Sequence, residues 1–147
     1  MEKAEVTRQV IEAKQRLGLK WKDIAGAIGR SEAWTATALL GQAPLSPEEA
    51  QKVGSLLELP EDAVQALTVI PYRGTTVPMP PTDPVLYRFY EILLVYGPAL
   101  KELIHEKFGD GIMSAIDFEM SVRRVEDPKG DRVQVVMNGK FLPYRKW

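Results

Sequence analysis

The sequence predicts an α+β protein: a helical bundle over residues 1–74, then a small helix-plus-antiparallel-strand unit over residues 75–147. Three observations carry this. Apolar residues recur at helical spacing through roughly the first 70 positions. Five prolines fall in the fourteen residues from Pro71 to Pro84, which makes that joint extended and stiff. After Gly111 the apolar period shortens from that of a helix to that of a strand.

Val6, Val10, Ala13 and Leu17 mark the first helix, and Gly18 can close it at the C′ position. A second short helix covers Trp21 to Ile28, followed by Gly29. Ser31 is placed to cap a helix from Glu32 to Leu40 that ends at Gly41. Ser46-Pro47-Glu48-Glu49 combines a capping box with proline at the first helical position. Pro60-Glu61-Asp62 opens a last helix toward Ile70.

From Asp23 to Gly41 the spacing is that of a helix-turn-helix, with Ile24, Ala25, Ile28, Gly29, Ser31, Trp34 and Leu39 at core and turn positions. Any tight three-helix packing produces the same pattern. The reading helix, Ser31 to Ala38, has no Arg, Lys, Asn or Gln to address base edges. Through Gly74 the chain carries nine Lys/Arg against ten Asp/Glu, so it lacks the positive footprint that phosphates require. No nucleic-acid partner is expected.

In the second unit, Asp83 is placed to cap a helix with Pro84 at its first position. Pro98, after Gly97, is expected to kink that helix or restart it. Beyond Gly111, Ile116, Phe118, Met120 and Val122 alternate with Asp117, Glu119, Ser121 and Arg123, as in a strand. Asp127 to Asp131 reads as a turn, and Arg132 to Met137 as a second strand. Asn138-Gly139 reads as a two-residue hairpin leading into a third. One helical stretch and about three strands is close to the lower size limit for independent stability. Few strands also leave open edges. The chain is therefore expected not to be a monomer.

Composition excludes much. Of 147 residues, 45% are hydrophobic and 27% charged, with a net charge of −1. This is the profile of a soluble globular protein with no bulk charge to attract nucleic acid or a membrane surface. No apolar run approaches the ~20 residues of a membrane span, and Met1-Glu2-Lys3-Ala4-Glu5 does not read as a signal peptide. The absence of cysteine excludes disulfides and thiol nucleophiles and suits the cytoplasm. His105 is the sole histidine, so one chain cannot build a multi-His metal site. It lies near a helix C-terminus, where a cation is favourable, and reads as structural or peripheral.

The candidate chemistry centres on Tyr87 to Tyr96. Arg88 and Glu91 are the only charges in that stretch, and they share a helix face at i,i+3. Leu86, Phe89, Leu93, Tyr96, Leu100 and Leu103 already form a complete apolar stripe, while Leu94 and Val95 extend the charged face. Both faces are thus expected to be buried. Buried ions are costly unless paired. A structural ion pair and a functional one explain the spacing equally well.

The segments Pro81-Thr82-Asp83-Pro84, Tyr87-Arg88-Phe89-Tyr90-Glu91, His105 to Phe118 and Asn138 to Pro143 together closely resemble cyanase, also called cyanate hydratase or cyanate lyase. The resemblance spans essentially the whole chain and is most specific from Pro81 to Phe118. It implies that Arg88, Glu91 and Ser114 are the catalytic residues. It also implies a helix-turn-helix-like N-terminal domain used in assembly, C-terminal domains that intertwine into dimers, and five dimers forming a decamer. The implied substrates are cyanate and bicarbonate, giving carbamate and carbon dioxide. Carbamate then yields ammonia and a second carbon dioxide.

That reaction tests the residue types. Both substrates are anions, and two unit charges ~4 Å apart repel by about 4 kcal/mol at an effective dielectric of 20. Arg88 offers a permanent charge and a planar fork of donors. One Arg is thin for a dianion, which favours a symmetric interface where two copies converge. Ser114 supplies a hydroxyl, and Gly109-Asp110-Gly111 can aim backbone N–H groups at an anion. Glu91 either orients Arg88 or relays a proton to the cyanate nitrogen; the orienting role is favoured. Nothing in this scheme needs a metal or an organic cofactor, bicarbonate being a co-substrate. The rival reading is a helix-turn-helix DNA-binding regulator with a C-terminal dimerisation domain. It leaves Arg88 and Glu91 as a structural pair and the glycine-rich turn unexplained.

Overall fold

The computed structural model describes all residues, 1–147. The chain divides into two compact units, Met1–Thr75 and Thr76–Trp147.

The first unit is all helical: α1 (Lys3–Arg16), α2 (Trp21–Ile28), α3 (Glu32–Thr37), a π-helical segment (Ala38–Gln42), α4 (Pro47–Leu57) and α5 (Glu61–Leu67). Local sequence explains most of the boundaries. The Ser31 hydroxyl accepts from Trp34 N–H at 3.1 Å and caps α3. At α4, Ser46 Oγ accepts from Glu49 N–H at 3.1 Å while Glu49 Oε2 accepts from Ser46 N–H at 2.9 Å. These reciprocal bonds satisfy two donors that a helix start otherwise leaves unpaired. Glu49 Oε1 also accepts from Arg30 Nε at 2.6 Å, which ties α4 to the end of α2. The Ser46 backbone N–H, followed by the Arg30 guanidinium, holds the Glu49 carboxyl below its ordinary range, although burial pushes the other way. Gly18, Gly29 and Gly41 take positive φ where the chain leaves a helix. Val6, Val10, Ile24, Leu39, Val53 and Leu57 form the centre of a fully buried core. Gly54 lies against Val64 with no room for a Cβ, so α4 and α5 pack closely.

The second unit holds α6 (Pro84–Phe108), β1 (Gly111–Val125) and β2 (Arg132–Pro143). Asp83 Oδ1 accepts from Val85 and Leu86 N–H at 2.9 and 3.2 Å, with Pro84 at the first helical position. Pro98 does not restart the helix, which is continuous for 25 residues. Pro98 removes a single backbone bond, on a helix exposed enough for water to take the freed carbonyl. Gly109, at φ 91°, ends α6, and its N–H donates to His105 O at 2.9 Å. No helix is long and apolar enough to cross a membrane.

The sheet corrects the strand count. It has two antiparallel strands, not three. Asn138-Gly139 is not a turn: these residues lie inside β2, paired with Glu119 and Phe118 of β1. A tight hairpin needs left-handed backbone at such a pair, and Gly139 is not among the positive-φ glycines. With a full-length partner strand alongside, β2 runs straight on. The reversal occurs at Asp127–Asp131, where Lys129 N–H donates to Asp127 Oδ1 at 2.8 Å and Gly130 N–H to Asp127 O at 3.0 Å.

Candidate active site

Arg88 and Glu91 lie near the start of α6, and Arg88 Nη1 is bonded to Glu91 Oε1. The pair forms as the i,i+3 spacing requires. Its surroundings differ from expectation: no residue of α6 is buried within one chain. The Arg88 and Glu91 side chains are 67% and 44% exposed, and the apolar stripe through Leu86, Phe89, Leu93 and Tyr96 is open as well. The reason is size. One two-stranded sheet cannot cover a 25-residue helix on two sides. Within the single chain the pair is an exposed one, worth about 0–1 kcal/mol, so it contributes little to folding.

Ser114 is buried, at 5% exposure. Its Oγ accepts from the backbone N–H of Ile116 at 3.1 Å and of Asp117 at 2.9 Å. A hydroxyl has two acceptor lone pairs and one proton. Both lone pairs are occupied here, so the hydroxyl proton is what remains for a further partner. That is the polarity an anion requires. The turn forms because β1 is irregular. Met113 pairs with Phe141, and pairing resumes only at Phe118 with Gly139. The intervening residues bulge, and the bulge holds Ser114.

The turn from α6 into β1 is pinned on several sides. Phe108 stacks on Phe141 at 5.1 Å between ring centroids, and Tyr144 N–H donates to Asp110 O at 3.0 Å. His105 Nδ1 lies 3.0 Å from Gly109 O and its Nε2 lies 2.7 Å from Lys101 Nζ. Both contacts tie His105 to the end of its own helix.

The structure brings Arg88 to Glu91 but does not bring Ser114 to either. Twenty residues of helix separate Arg88 from Phe108, about 30 Å at 1.5 Å per residue. Ser114 lies at the Phe108 end, because its neighbour Met113 pairs with Phe141, whose ring stacks on Phe108. Sequence reasoning missed the bulge and the two backbone donors to Ser114. One signal for them was present: a lone glycine in a strand pattern, Gly139, marks a bulge or a close backbone approach. No group of three or more His, Cys, Asp or Glu side chains is placed to hold a metal ion.

Comparisons with known proteins agree over the whole length. Residues 3–71 match the family model for the cyanate hydratase N-terminal region. Residues 78–146 match the model for the cyanate lyase C-terminal domain. A cyanate hydratase of Thiobacillus denitrificans is 58% identical over 147 residues, covering 100% of both chains. Another from Acaryochloris marina is 53% identical over 144 residues, covering 98% of each. Among solved structures, the crystal structure of cyanase from T. urticae superposes with a TM-score of 0.84 at 37% identity. The match covers 95% of this chain and 97% of that one. Nothing among these matches supports a DNA-binding regulator.

Proposed function

The chain belongs to the cyanase family of cyanate-decomposing enzymes, and on that premise we propose that it acts on cyanate with bicarbonate as co-substrate. The single observation that carries this reading is the match to cyanate hydratases along the entire chain. The Ser114 hydroxyl, left as a donor by its two backbone partners, supports the anionic character of the substrates.

A bicarbonate oxygen attacks the cyanate carbon, and the adduct splits into carbon dioxide and carbamate. The nitrogen gains two protons, one from bicarbonate and one from outside the pair. Arg88 clamps the oxyanions through its fork and Ser114 donates to a third oxygen. Glu91 holds the Arg88 fork in place, as its bond to Nη1 suggests. Placing bicarbonate beside cyanate uses proximity, not a base that activates water. Neither a metal nor an organic cofactor is required.

The working form is a homo-oligomer, assembled from dimers into a decamer, with sites shared between subunits and located in the cytoplasm. The exposed α6 and the separation of Ser114 from Arg88 in one chain support sharing: an Arg88–Glu91 pair from one protomer needs a Ser114 from another. Isotope-labelled bicarbonate with unlabelled cyanate tests the chemistry. Label must appear in the first carbon dioxide before re-equilibration, and ammonia release must collapse in buffer stripped of bicarbonate. Undiminished ammonia release without bicarbonate would mean direct hydrolysis and would defeat the proposal.

A further inference from the structure

Asn138-Gly139 reads as a turn and folds as strand, so the glycine has no turn to make. Four residues of β1, Ser114 to Asp117, lie opposite Lys140 alone, because pairing stops at Met113–Phe141 and resumes at Phe118–Gly139. Such an excess must arch out of the ladder. The arch is closed from within by the Ile116 and Asp117 N–H groups on Ser114 Oγ. It is seated from outside on Gly139. A Cβ at that position would fall 2.5 Å from the Ser114 carbonyl oxygen, 2.5 Å from Met113 Cγ and 3.3 Å from Met113 Sδ. Ordinary carbon–oxygen approach is about 3.3 Å or more.

We infer that Gly139 is a positioning residue for the reaction: its missing side chain lets the Ser114 backbone seat against β2 and so aims the Ser114 hydroxyl. This rests on the reading of Ser114 as a site residue. Gly139 does not have positive φ, so alanine is barred by space and not by backbone conformation. The two clashes differ in how they relax. Met113 is a flexible side chain and can swing aside. The Ser114 oxygen belongs to the backbone, so it moves only if the arch moves, carrying the hydroxyl with it.

Gly139→Ala therefore separates a packing role from a positioning role. The expected result is an oligomer of unchanged size whose kcat/KM for ammonia release falls about 10- to 100-fold, the cost of misplacing a site group by roughly an ångström. Amide exchange at Ile116 and Asp117 should accelerate as their acceptor shifts. Adding Met113→Ala should not restore the rate, because the carbonyl clash remains. In a Ser114→Ala background Gly139→Ala should cost less than about twofold, since residues acting through one another are not additive. Should Gly139→Ala alone fail to fold, the Met113→Ala/Gly139→Ala double variant, relieved of the side-chain clash, carries the same measurements. Should the Ser114→Ala background have no measurable rate, amide exchange decides. Full rescue by Met113→Ala, independent effects in the Ser114→Ala background, or unchanged exchange at Ile116 and Asp117 would each overturn the inference. A wild-type chain that releases no ammonia from cyanate would defeat the proposed function instead, and the exchange measurement would still test the coupling of Gly139 to Ser114.

Discussion

Arg88→Lys keeps the charge and removes the shape. Within one chain Arg88 is two-thirds exposed and its partner Glu91 nearly half, so the pair is worth at most about 1 kcal/mol to the fold of each protomer. With the charge kept, unfolding of the protomer itself should shift by no more than about 2–4 °C in melting temperature for a chain of this size. Turnover should respond very differently. A guanidinium fork gives an oxyanion two parallel bonds, and an ammonium gives a single point contact. One lost charge-assisted bond costs about 1.5–3 kcal/mol, and each 1.36 kcal/mol is tenfold in rate. That is about 10- to 150-fold for one Arg88, and about 10²- to 10⁴-fold where two copies face one dianion. Ammonia release, a thermal melt and light scattering on the same preparation read the three quantities together. A variant within threefold of wild-type turnover would refute the clamp. A variant that melts much lower or dissociates would show that the pair is structural instead.

Two further outcomes follow from the geometry. Light scattering at micromolar concentration should find no stable monomer, because α6 lacks a buried residue within one chain; a folded, active monomer would contradict the shared site, and a plain dimer would count against the decamer. Glu49 gives the helical unit an acid limit. Its folded pKa lies below the reference value of 4.5, so its stabilisation is complete above about pH 5 and is lost as pH falls through the folded value. Glu49→Gln, which can keep the capping box but loses the charge, should cost about 0.3–1 kcal/mol at neutral pH and flatten the acid limb of a thermal-melt pH profile. An unaltered limb would remove Glu49 from the explanation.

What the sequence made legible is what depends on neighbours along the chain. Ser46 with Glu49, Asp83 with Val85 and Leu86, and Ser31 with Trp34 each complete their hydrogen bonds within three residues, so short windows suffice. The same locality gave Arg88 and Glu91 their pairing. Asn138-Gly139 failed for the opposite reason: its fate depends on register with residues about twenty positions earlier, and a strong local turn preference yields to a long partner strand. The bulge at Ser114 was hidden for the same cause, since nothing in Ser114-Ala115-Ile116-Asp117 alone says that pairing will skip. The apolar stripe on α6 was legible as a helix face, but what covers it is not encoded within one chain. Burial expected from pattern therefore appears as exposure.

The exposed α6 also sets a schedule for the growing chain. Translation delivers the helical unit first, and that unit closes its own core around Val6, Ile24 and Leu57 without waiting for the rest. Residues 76–147 then take about 4–15 s to emerge at 5–20 residues per second. From the time they emerge until a sibling arrives, Phe89, Leu93 and Tyr96 face water, and the two strands that follow leave free edges. Rapid expression shortens the wait for a partner but raises the number of sticky chains waiting at once. Chains emerging side by side on one messenger are the nearest siblings available. Yield should therefore depend on how closely ribosomes follow one another.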